Sequence, residues 1–267
     1  MQSALSELAD RVDGVLDEIY SSIDFTMRSR GVEAKSSQGD LVTELDKELE
    51  MVVGRRLRAL LAGSCVMGEE MGGDLGDGPT WIVDPIDGTT NVVHGIRHAA
   101  VTVALWQGGR PVLGIIRDIF QGTRYIAIEG SGAFKLSGSM SYPVAVSTTG
   151  SLSAALISFG LPYDRDQSDV VFTVAARAFS SCQDLRRRGS AALDIVGVAE
   201  GSLEGHIEVD LRPWDVAAAG LVLQEAGGCL TTWSGKPVDW LHGSWKSTIA
   251  ASNGAIHAEL ISLLAPR

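Results

Sequence analysis

Trp81-Ile82-Val83-Asp84-Pro85-Ile86-Asp87-Gly88-Thr89-Thr90-Asn91 is the most informative stretch of this sequence. It begins with an apolar, β-branched run of the kind that ends a buried strand, and Pro85 fixes its own φ and lacks a backbone donor, which predicts that the chain turns there. Asp84 and Asp87 flank this turn. Gly88 relieves steric limits on the backbone, and a helix starting beside it would point the amides of Gly88, Thr89 and Thr90 at an anion. The segment therefore predicts a divalent-metal site next to a phosphate-binding turn.

The composition is that of a globular protein with a substantial core. The chain has 267 residues, 45% of them hydrophobic, which allows one large domain or two small ones. The sequence shows neither a signal peptide nor an apolar stretch of the roughly 20 residues that cross a bilayer, and this predicts a cytoplasmic protein. A formal net charge of −11 disfavours nucleic acid and anionic membrane as partners. It suits a phosphate substrate only if bound cations reverse the local field.

Three cysteines occur far apart in the chain, at Cys65, Cys182 and Cys229. Their odd number and apolar surroundings predict buried, reduced thiols, since neither a disulfide framework nor a metal cluster has this spacing.

The first part of the chain predicts two amphipathic helices. Apolar residues recur at helical spacing over residues 3–29, and again from Leu45 to Leu61. Thr43 followed by Asp46 has the capping-box pattern, so the second helix is expected to carry Asp46 in its first turn.

From Ala99 onward the apolar period changes to that of strands. Residues 99–106, 111–118 and 124–128 predict an antiparallel meander. Beyond a Ser/Thr/Gly-rich passage, helices are expected near 168–181, 190–201 and 215–227, and strands near 154–159, 205–209, 229–232 and 247–251. We therefore predict an N-terminal subdomain at 1–145 and a C-terminal one at 146–267.

Two further acidic motifs flank the first one in sequence. Met67-Gly68-Glu69-Glu70 lies upstream, and Arg212-Pro213-Trp214-Asp215-Val216-Ala217-Ala218-Ala219-Gly220 lies downstream. Their joint occurrence in this order resembles the inositol monophosphatase family of Mg²⁺-dependent, lithium-sensitive phosphomonoesterases, in its bacterial form. The resemblance runs from about Lys35 to Asn253. It implies a layered αβαβα sandwich, in which N-terminal helices and an antiparallel sheet precede a smaller α/β half, and it implies a homodimer.

By position, the resemblance implies two or three Mg²⁺ ions per active site. Glu69, Asp84 and the carbonyl of Ile86 would hold one, and Asp84, Asp87 and Asp215 a second, so that Asp84 bridges. Hard cations of this kind prefer oxygen ligands. Two carboxylates about 4 Å apart repel by roughly 4 kcal/mol at an effective dielectric of 20, so such a cluster is expected to need cations.

The resemblance also assigns catalytic roles to Asp46, Glu69 and Thr89. They would help to activate the attacking water, and hydrolysis would proceed by in-line attack of metal-activated water without a phosphoenzyme. A favourable charge at a helix start and a helix cap are the structural alternatives for Asp46 and Thr89.

A substrate pocket is implied in the second half of the chain. Gly189-Ser190-Ala191 opens a predicted helix, and Glu208 lies further along. A carboxylate next to backbone amides can receive the hydroxyl groups of a polyol. The expected substrate-binding residues are Asp87, Gly88, Thr89, Gly189, Ser190, Ala191 and Glu208.

The metal motif predicts the reaction and leaves the substrate open. Inositol 1-phosphate is the leading expectation, and another sugar phosphate, fructose 1,6-bisphosphate, histidinol phosphate or 3′-phosphoadenosine 5′-phosphate are alternatives. The segment Ile116-Arg117-Asp118-Ile119-Phe120 departs from the family pattern close to the pocket. A regulatory binding protein in a transcription complex is the alternative of another class.

Overall fold

The computed structural model of the protein describes residues 2–25, 32–34, 41–240 and 247–265. The helices are α1 (Gln2–Tyr20), α2 (Glu44–Leu60), α3 (Thr89–His94), α4 (Ser168–Phe179), α5 (Ala191–Ala199), α6 (Pro213–Glu225) and α7 (His257–Leu264). The strands are β1 (Glu33–Ala34), β2 (Leu41–Val42), β3 (Cys65–Gly68), β4 (Thr80–Asp87), β5 (Ala100–Gln107), β6 (Arg110–Asp118), β7 (Arg124–Ile128), β8 (Ala133–Ser137), β9 (Met140–Pro143), β10 (Leu156–Phe159), β11 (Asp184–Arg186), β12 (Gly205–Leu211), β13 (Cys229–Thr231) and β14 (Ser247–Ser252).

Helices and two large sheets alternate in five layers. Helices α1 and α2 cover one face of a seven-stranded sheet, α5 and α6 lie between this sheet and a five-stranded one, and α4 and α7 cover the far side. Side chains alternate accordingly along β4: Trp81 and Val83 join the core under α1 and α2, whereas Ile82 joins the core around α5 and α6. The predicted αβαβα sandwich is confirmed.

The seven-stranded sheet has the order β3-β4-β5-β6-β7-β8-β9. Strand β3 is parallel to β4, and every other neighbouring pair is antiparallel. The predicted meander is confirmed as β5, β6 and β7.

Strand β4 is longer than the sequence predicts. The chain was expected to turn at Pro85, but β4 continues to Asp87 and is buried along its whole length. Proline is tolerated because the pairing of β4 with β5 shifts register between Asp84 and Asp87, and a bulge leaves a residue outside the ladder.

The five-stranded sheet has the order β11-β10-β12-β14-β13. Strand β10 is parallel to β11 and β12, and β14 is antiparallel to β12 and β13. Four of its strands lie where the sequence predicts them, and β11 was not predicted. The two sheets use residues 65–143 and 156–252. The division into subdomains near residue 145 stays a prediction.

The helices mostly match their predictions, with one clear exception at the start of the chain. Helix α1 ends at Tyr20, well before the predicted residue 29, and residues 26–29 lie outside the described part. Helix α2 begins as predicted, because Thr43 and Asp46 form a capping box.

The three cysteines are free thiols. Cys65 is exposed and the other two are partly exposed, so the prediction of buried thiols is wrong, clearly so for Cys65, which lies at the start of the edge strand β3. Within the described residues, no helix combines the length and the apolar character needed to cross a membrane.

Candidate active site

A bulge in β4 brings the first two predicted acids to one side of the sheet. Strand β5 pairs Thr102 with Asp84 and Ala100 with Asp87, so three steps along β4 oppose two steps along β5. Residues three apart in a regular strand face opposite sides, and the extra residue of a bulge corrects this. Asp84 and Asp87 thereby come close enough for their charges to interact.

Asp84 lies at the bottom of the site. Its side chain is only 1% exposed, it forms a hydrogen bond with the side chain of Glu69, and its Oδ1 accepts a hydrogen bond of 2.9 Å from the amide of Ile86. Burial raises the pKa of Asp84 well above its usual range, and repulsion from Glu69, Asp87 and Asp215 raises it further. An ionised Asp84 therefore needs a nearby positive charge.

Glu69 follows β3, and its position depends on a buried carboxylate of α2. Glu50 accepts hydrogen bonds from the amides of Glu70 (2.7 Å) and Met71 (2.8 Å), which holds the loop that carries Glu69. A Cβ on Gly68 would lie 2.2 Å from Oε1 of Glu50. Glycine at position 68 therefore lets Glu50 reach the loop.

Asp87 caps the start of α5. Its carboxylate accepts hydrogen bonds from the hydroxyl of Ser190 and from the amides of Ala191 (3.2 Å) and Ala192 (2.8 Å). Burial raises the pKa of Asp87 to about 6, against the opposing effect of these hydrogen bonds and with the help of the charge on Glu208. Ser190 is buried, and its hydroxyl is directed at Asp87 in this structure.

Asp215 lies in the first turn of α6, which Pro213 opens. Its Oδ2 accepts a hydrogen bond of 2.6 Å from the amide of Arg212. Burial raises the pKa of Asp215 well above its usual range, and repulsion from Glu69 adds to this. The hydroxyl of Thr102 donates to the carbonyl oxygen of Trp214 at 2.8 Å, which fixes the start of α6 next to Asp84.

Asp46 and Thr89 meet beside the carbonyl of Ile86. The hydroxyl of Thr89 lies 2.8 Å from Oδ1 of Asp46 and 2.9 Å from the oxygen of Ile86. Oδ2 of Asp46 accepts hydrogen bonds from the amide (2.9 Å) and the hydroxyl of Thr43. The structure thus places two of the three residues that were predicted to activate water, Asp46 and Thr89, in direct contact.

Gly88 and Gly189 make a tight junction between the two halves of the chain. Gly88 has φ 100°, and a Cβ there would lie 3.1 Å from the carbonyl oxygens of His98 and Gly189. Asn91 donates from its side chain to the carbonyl oxygens of His98 (2.8 Å) and Arg188 (2.8 Å). Helix α3 is therefore fastened to the segment that precedes α5.

A cavity of about 640 Å³ opens above these residues. Seven predicted site residues line it: Glu69, Asp87, Gly88, Gly189, Ala191, Glu208 and Asp215. The other predicted residues (Asp46, Asp84, Ile86, Thr89 and Ser190) lie beneath or behind this lining. The remaining lining residues were not predicted: Leu161, Pro162, Tyr163, Asp164, Arg165, Asp166, Arg187, Val209, Asp210, Leu211, Arg212 and Trp214.

Glu208 occupies the side of the cavity formed by the five-stranded sheet. Its Oε2 lies 3.1 Å from Nε2 of the fully buried His206. A Cβ on Gly160 would lie 1.8 Å from Cδ of Glu208, so the carboxylate rests against the backbone of that glycine. The predicted pocket residue is therefore held on two sides.

The donor set at the bottom of the cavity fits Mg²⁺ chemically. Three of its carboxyl groups carry raised pKa values, and a bound cation offsets the burial and repulsion that raise them. No three His, Cys, Asp or Glu side chains in the described part of the chain already surround one point as ligands. The carboxylate of Asp87 is directed at the start of α5 and that of Asp215 at the amide of Arg212, so both side chains would have to turn to share a cation.

Comparison with known proteins identifies the family to which the chain is related. The model of the inositol monophosphatase family matches residues 1–266. An inositol-1-monophosphatase from Synechocystis sp. (strain ATCC 27184 / PCC 6803 / Kazusa) is 33% identical over 237 residues, which cover 88% of this chain and 80% of that protein. Nus factor SuhB from Escherichia coli (strain K12) is 35% identical over 205 residues, which cover 76% and 75%.

A solved structure points the same way. It is that of an IMPase/NADP phosphatase complexed with Mg²⁺ and phosphate, with a TM-score of 0.79 and 26% identity over 100% of this chain and 95% of that one. Fold and site together define a Mg²⁺-dependent phosphomonoester hydrolase. The chain belongs to the inositol monophosphatase family.

Several residues that build the site were not predicted from the sequence. Tyr20 of α1 donates a hydrogen bond of 2.8 Å to the carbonyl oxygen of Pro85, and Glu50, Thr102 and His206 each hold a predicted residue or its neighbour in place. Gly68 was the one hint of Glu50 in the sequence, since a glycine can indicate that another group lies close to the backbone at that position. The other three residues are ordinary members of helices and strands, and nothing in their local sequence separates them from core residues.

Proposed function

We propose that the protein hydrolyses a small phosphomonoester with the help of Mg²⁺, and that inositol 1-phosphate is its leading substrate. One observation carries the proposal: Asp84 is buried where Glu69, Asp87 and Asp215 repel it, and this raises its pKa well above the usual range. Four acids from three separate parts of the chain gain nothing structurally from this arrangement. A divalent cation makes the arrangement favourable, and a phosphate group can then enter a negatively charged cavity.

The proposed ligands of the cations are oxygen atoms at the bottom of the cavity. Glu69, Asp84 and the carbonyl of Ile86 would hold one Mg²⁺, and Asp84, Asp87 and Asp215 a second. Bound there, Mg²⁺ supplies positive charge to the phosphoryl oxygens and makes a nearby water a better nucleophile. We assign no ligands to the third Mg²⁺ ion that the sequence resemblance allows.

Thr89 and Asp46 are proposed to orient the attacking water. Oδ2 of Asp46 already accepts hydrogen bonds from Thr43. Oδ1 is therefore the atom that accepts the hydrogen bond donated by the Thr89 hydroxyl. The lone pairs of Thr89 are then available to accept a hydrogen bond from water. A water that donates to Thr89 would keep a lone pair of its oxygen free to attack the phosphorus.

Glu208 is proposed to receive the organic part of the substrate. It lies on the cavity wall in the second half of the chain, and Asp87, which also lines the cavity, lies in the first half, so a substrate that fills the cavity would contact both halves. A carboxylate accepts hydrogen bonds from hydroxyl groups, which favours a polyol leaving group. Arg187 and Arg165 also line the cavity, and they favour a second anionic group on an alternative substrate such as a sugar bisphosphate.

Phosphate release from a panel of phosphomonoesters, with Mg²⁺ and with EDTA, tests this proposal. The panel contains inositol 1-phosphate, fructose 1,6-bisphosphate, histidinol phosphate, 3′-phosphoadenosine 5′-phosphate and p-nitrophenyl phosphate. We expect release that requires Mg²⁺ and is fastest for inositol 1-phosphate. Equal release in EDTA, or none from the whole panel, would refute the proposal.

A regulatory role is the second candidate, because relatives with the name Nus factor SuhB are as similar to this chain as those with the name inositol-1-monophosphatase. The panel separates the two, since a protein that works only by binding a partner releases no phosphate. The cytoplasmic location and the homodimer stay predictions.

A further inference from the structure

A buried histidine connects Glu208 to an acid that faces away from the cavity. His206 is fully buried in β12, two positions before Glu208. Its Nε2 lies 3.1 Å from Oε2 of Glu208, and its Nδ1 lies 2.8 Å from the hydroxyl of Ser158 and 3.7 Å from Oδ2 of Asp194. The imidazole therefore has a polar partner on each side.

The partners of the ring determine which nitrogen carries a proton. The carboxylate of Glu208 only accepts hydrogen bonds, so Nε2 must be the donor. Ser158 can either donate to Nδ1 or accept from it, so both forms of the ring leave the bond to Glu208 unchanged. One oxygen of Glu208 is thus permanently engaged behind the cavity wall.

Asp194 keeps the far side of the ring in place. It lies in α5, is only 1% exposed, and accepts a hydrogen bond of 2.6 Å from Nε of Arg188. Burial opposes its ionisation, but His98, His206 and Arg188 outweigh burial and lower the pKa of Asp194. A buried, ionised carboxylate that is hydrogen-bonded to Arg188 therefore faces the histidine.

Gly160 makes room for the carboxylate of Glu208. The carboxylate lies where a side chain on residue 160 would be, since a Cβ there would lie 1.8 Å from its Cδ. The carboxylate of Glu208 thus lies between His206 and the backbone of Gly160, and Glu208 lines the cavity.

We propose that His206 is a positioning residue that holds Glu208 ready to accept a hydrogen bond from a substrate hydroxyl, and thereby selects neutral polyol leaving groups. This proposal rests on the proposed function and extends it. A fixed acceptor carboxylate binds a hydroxyl without losing side-chain freedom on binding. It also repels a phosphate or carboxylate on the substrate at the same position, which disfavours bisphosphates there.

Two amide variants of His206 form a matched pair for the test. In His206→Gln the amide nitrogen can reach the position of Nε2 and donate to Glu208, whereas in His206→Asn the shorter amide reaches the side of Ser158 and cannot. Both place one amide in the same buried position, so their effects on folding are similar. Ser158→Ala is the control, since it removes a partner of the ring and leaves the bond to Glu208.

The variants are assayed with inositol 1-phosphate and with p-nitrophenyl phosphate, whose leaving group has no hydroxyl to offer Glu208. We expect His206→Asn to raise KM for inositol 1-phosphate by about tenfold, while kcat stays within about twofold of the wild-type value. For p-nitrophenyl phosphate, kcat/KM should stay within about twofold of the wild-type value. His206→Gln and Ser158→Ala should stay within about threefold of the wild type on both substrates. In the double variant with Glu208→Gln, the effect of His206→Asn should disappear, because the two residues act as one unit.

A purely structural role predicts a different result. Equal losses on both substrates for His206→Asn, or equal KM values for the Asn and Gln variants, would overturn the proposal, as would additive effects in the double variant. Melting temperatures of all variants show whether the fold is kept. Failure of the proposed function gives a different result, because the wild-type protein would then release no phosphate from either substrate. If the wild type prefers another polyol phosphate in the panel, that compound replaces inositol 1-phosphate.

Discussion

The hydroxyl of Thr102 donates a hydrogen bond of 2.8 Å to the carbonyl oxygen of Trp214, across 112 positions of the chain. Thr102 is the residue that β5 pairs with Asp84, and Trp214 immediately precedes Asp215. This bond therefore links the neighbourhoods of two acids that come from different halves of the chain.

Replacement of Thr102 by valine should loosen the site without changing the shape of the core. Valine has nearly the same volume, but the carbonyl oxygen of Trp214 loses the hydrogen bond from residue 102, which should lower the free energy of unfolding by about 1 kcal/mol. The affinity for Mg²⁺, followed by the rise in melting temperature during a titration, should fall by several-fold. Thr173→Val on the exposed side of α4 is the control, and similar Mg²⁺ titrations of the two variants would contradict the prediction.

The stabilisation by Mg²⁺ should increase with pH. The pKa of Asp87 is about 6 in the folded protein, above the ordinary value of 3.8, and those of Asp84 and Asp215 are raised further. A raised folded-state pKa means that the metal-free protein loses stability as the pH rises from about 4 through 6 and beyond. Mg²⁺ binds the ionised carboxylates and opposes this loss.

Melting curves in EDTA and in saturating Mg²⁺ measure this effect. The rise in melting temperature caused by Mg²⁺ should be clearly larger at about pH 8 than at about pH 5.5. The same rise at both pH values would show that ionisation of these acids is not linked to the metal.

Asp84→Asn should abolish turnover and stabilise the metal-free protein. The amide removes the charge that Glu69, Asp87 and Asp215 repel, so the melting temperature in EDTA should rise by a few degrees, equivalent to about 1–2 kcal/mol. Turnover should fall at least about a thousandfold because the proposed bridging ligand is lost.

Asp17→Asn is the control for this substitution. Asp17 is an acid of α1 that pairs with Arg117 at 2.8 Å, away from the site, and a hydrogen bond from Ser21 and the charge of Arg117 lower its pKa. Its replacement removes these favourable interactions and should destabilise the protein slightly, by up to about 1 kcal/mol. If both substitutions change stability in the same direction, the acids around Asp84 are not under the repulsion that we infer.

Gly68→Ala should displace the loop that carries Glu69. The new Cβ would lie 2.2 Å from the carboxylate of Glu50, which must move and release the amides of Glu70 and Met71. We expect turnover to fall by more than about tenfold while most of the fold is kept. Gly76→Ala, where a Cβ meets nothing within 4 Å, is the control and should behave like the wild type.

Gly160→Ala should weaken the binding of polyol substrates selectively. The Cβ would occupy the place of the Glu208 carboxylate, which must swing away from His206. KM for inositol 1-phosphate should rise by about tenfold with little change for p-nitrophenyl phosphate. Gly150→Ala serves as control because a Cβ there meets nothing within 4 Å. An unchanged KM for inositol 1-phosphate would argue against a role of Glu208 in binding the leaving group.

Local sequence patterns predicted the elements of the site well. The capping box at Thr43, the helix starts at Ser190 and Asp215, and the strand that leads to Asp84 all follow from interactions between residues a few positions apart. Such interactions leave a readable pattern because propensity, capping and apolar period act locally.

Interactions over long distances in the chain could not be predicted in this way. Ser190 binds Asp87 across 103 positions, and the direction of the β4 bulge depends on its partner strand β5. In the sequence, nothing distinguishes His206 from other residues of a buried strand. Its role depends on Asp194 and Gly160, which come close to it and to Glu208 only in the folded chain. These contacts depend on tertiary structure, which a periodic pattern does not encode.

The hydrogen bond between Thr102 and Trp214 also has a consequence for how the protein matures. Helix α6 must pack on the seven-stranded sheet before Asp215 reaches Asp84, so metal affinity should arise late in folding, after a loop of more than a hundred residues has closed. A nascent chain released before β12 and α6 are made would hold Asp84 and Asp87 without the acid that completes the ligand set. Cation binding would thus report on the completion of the whole molecule.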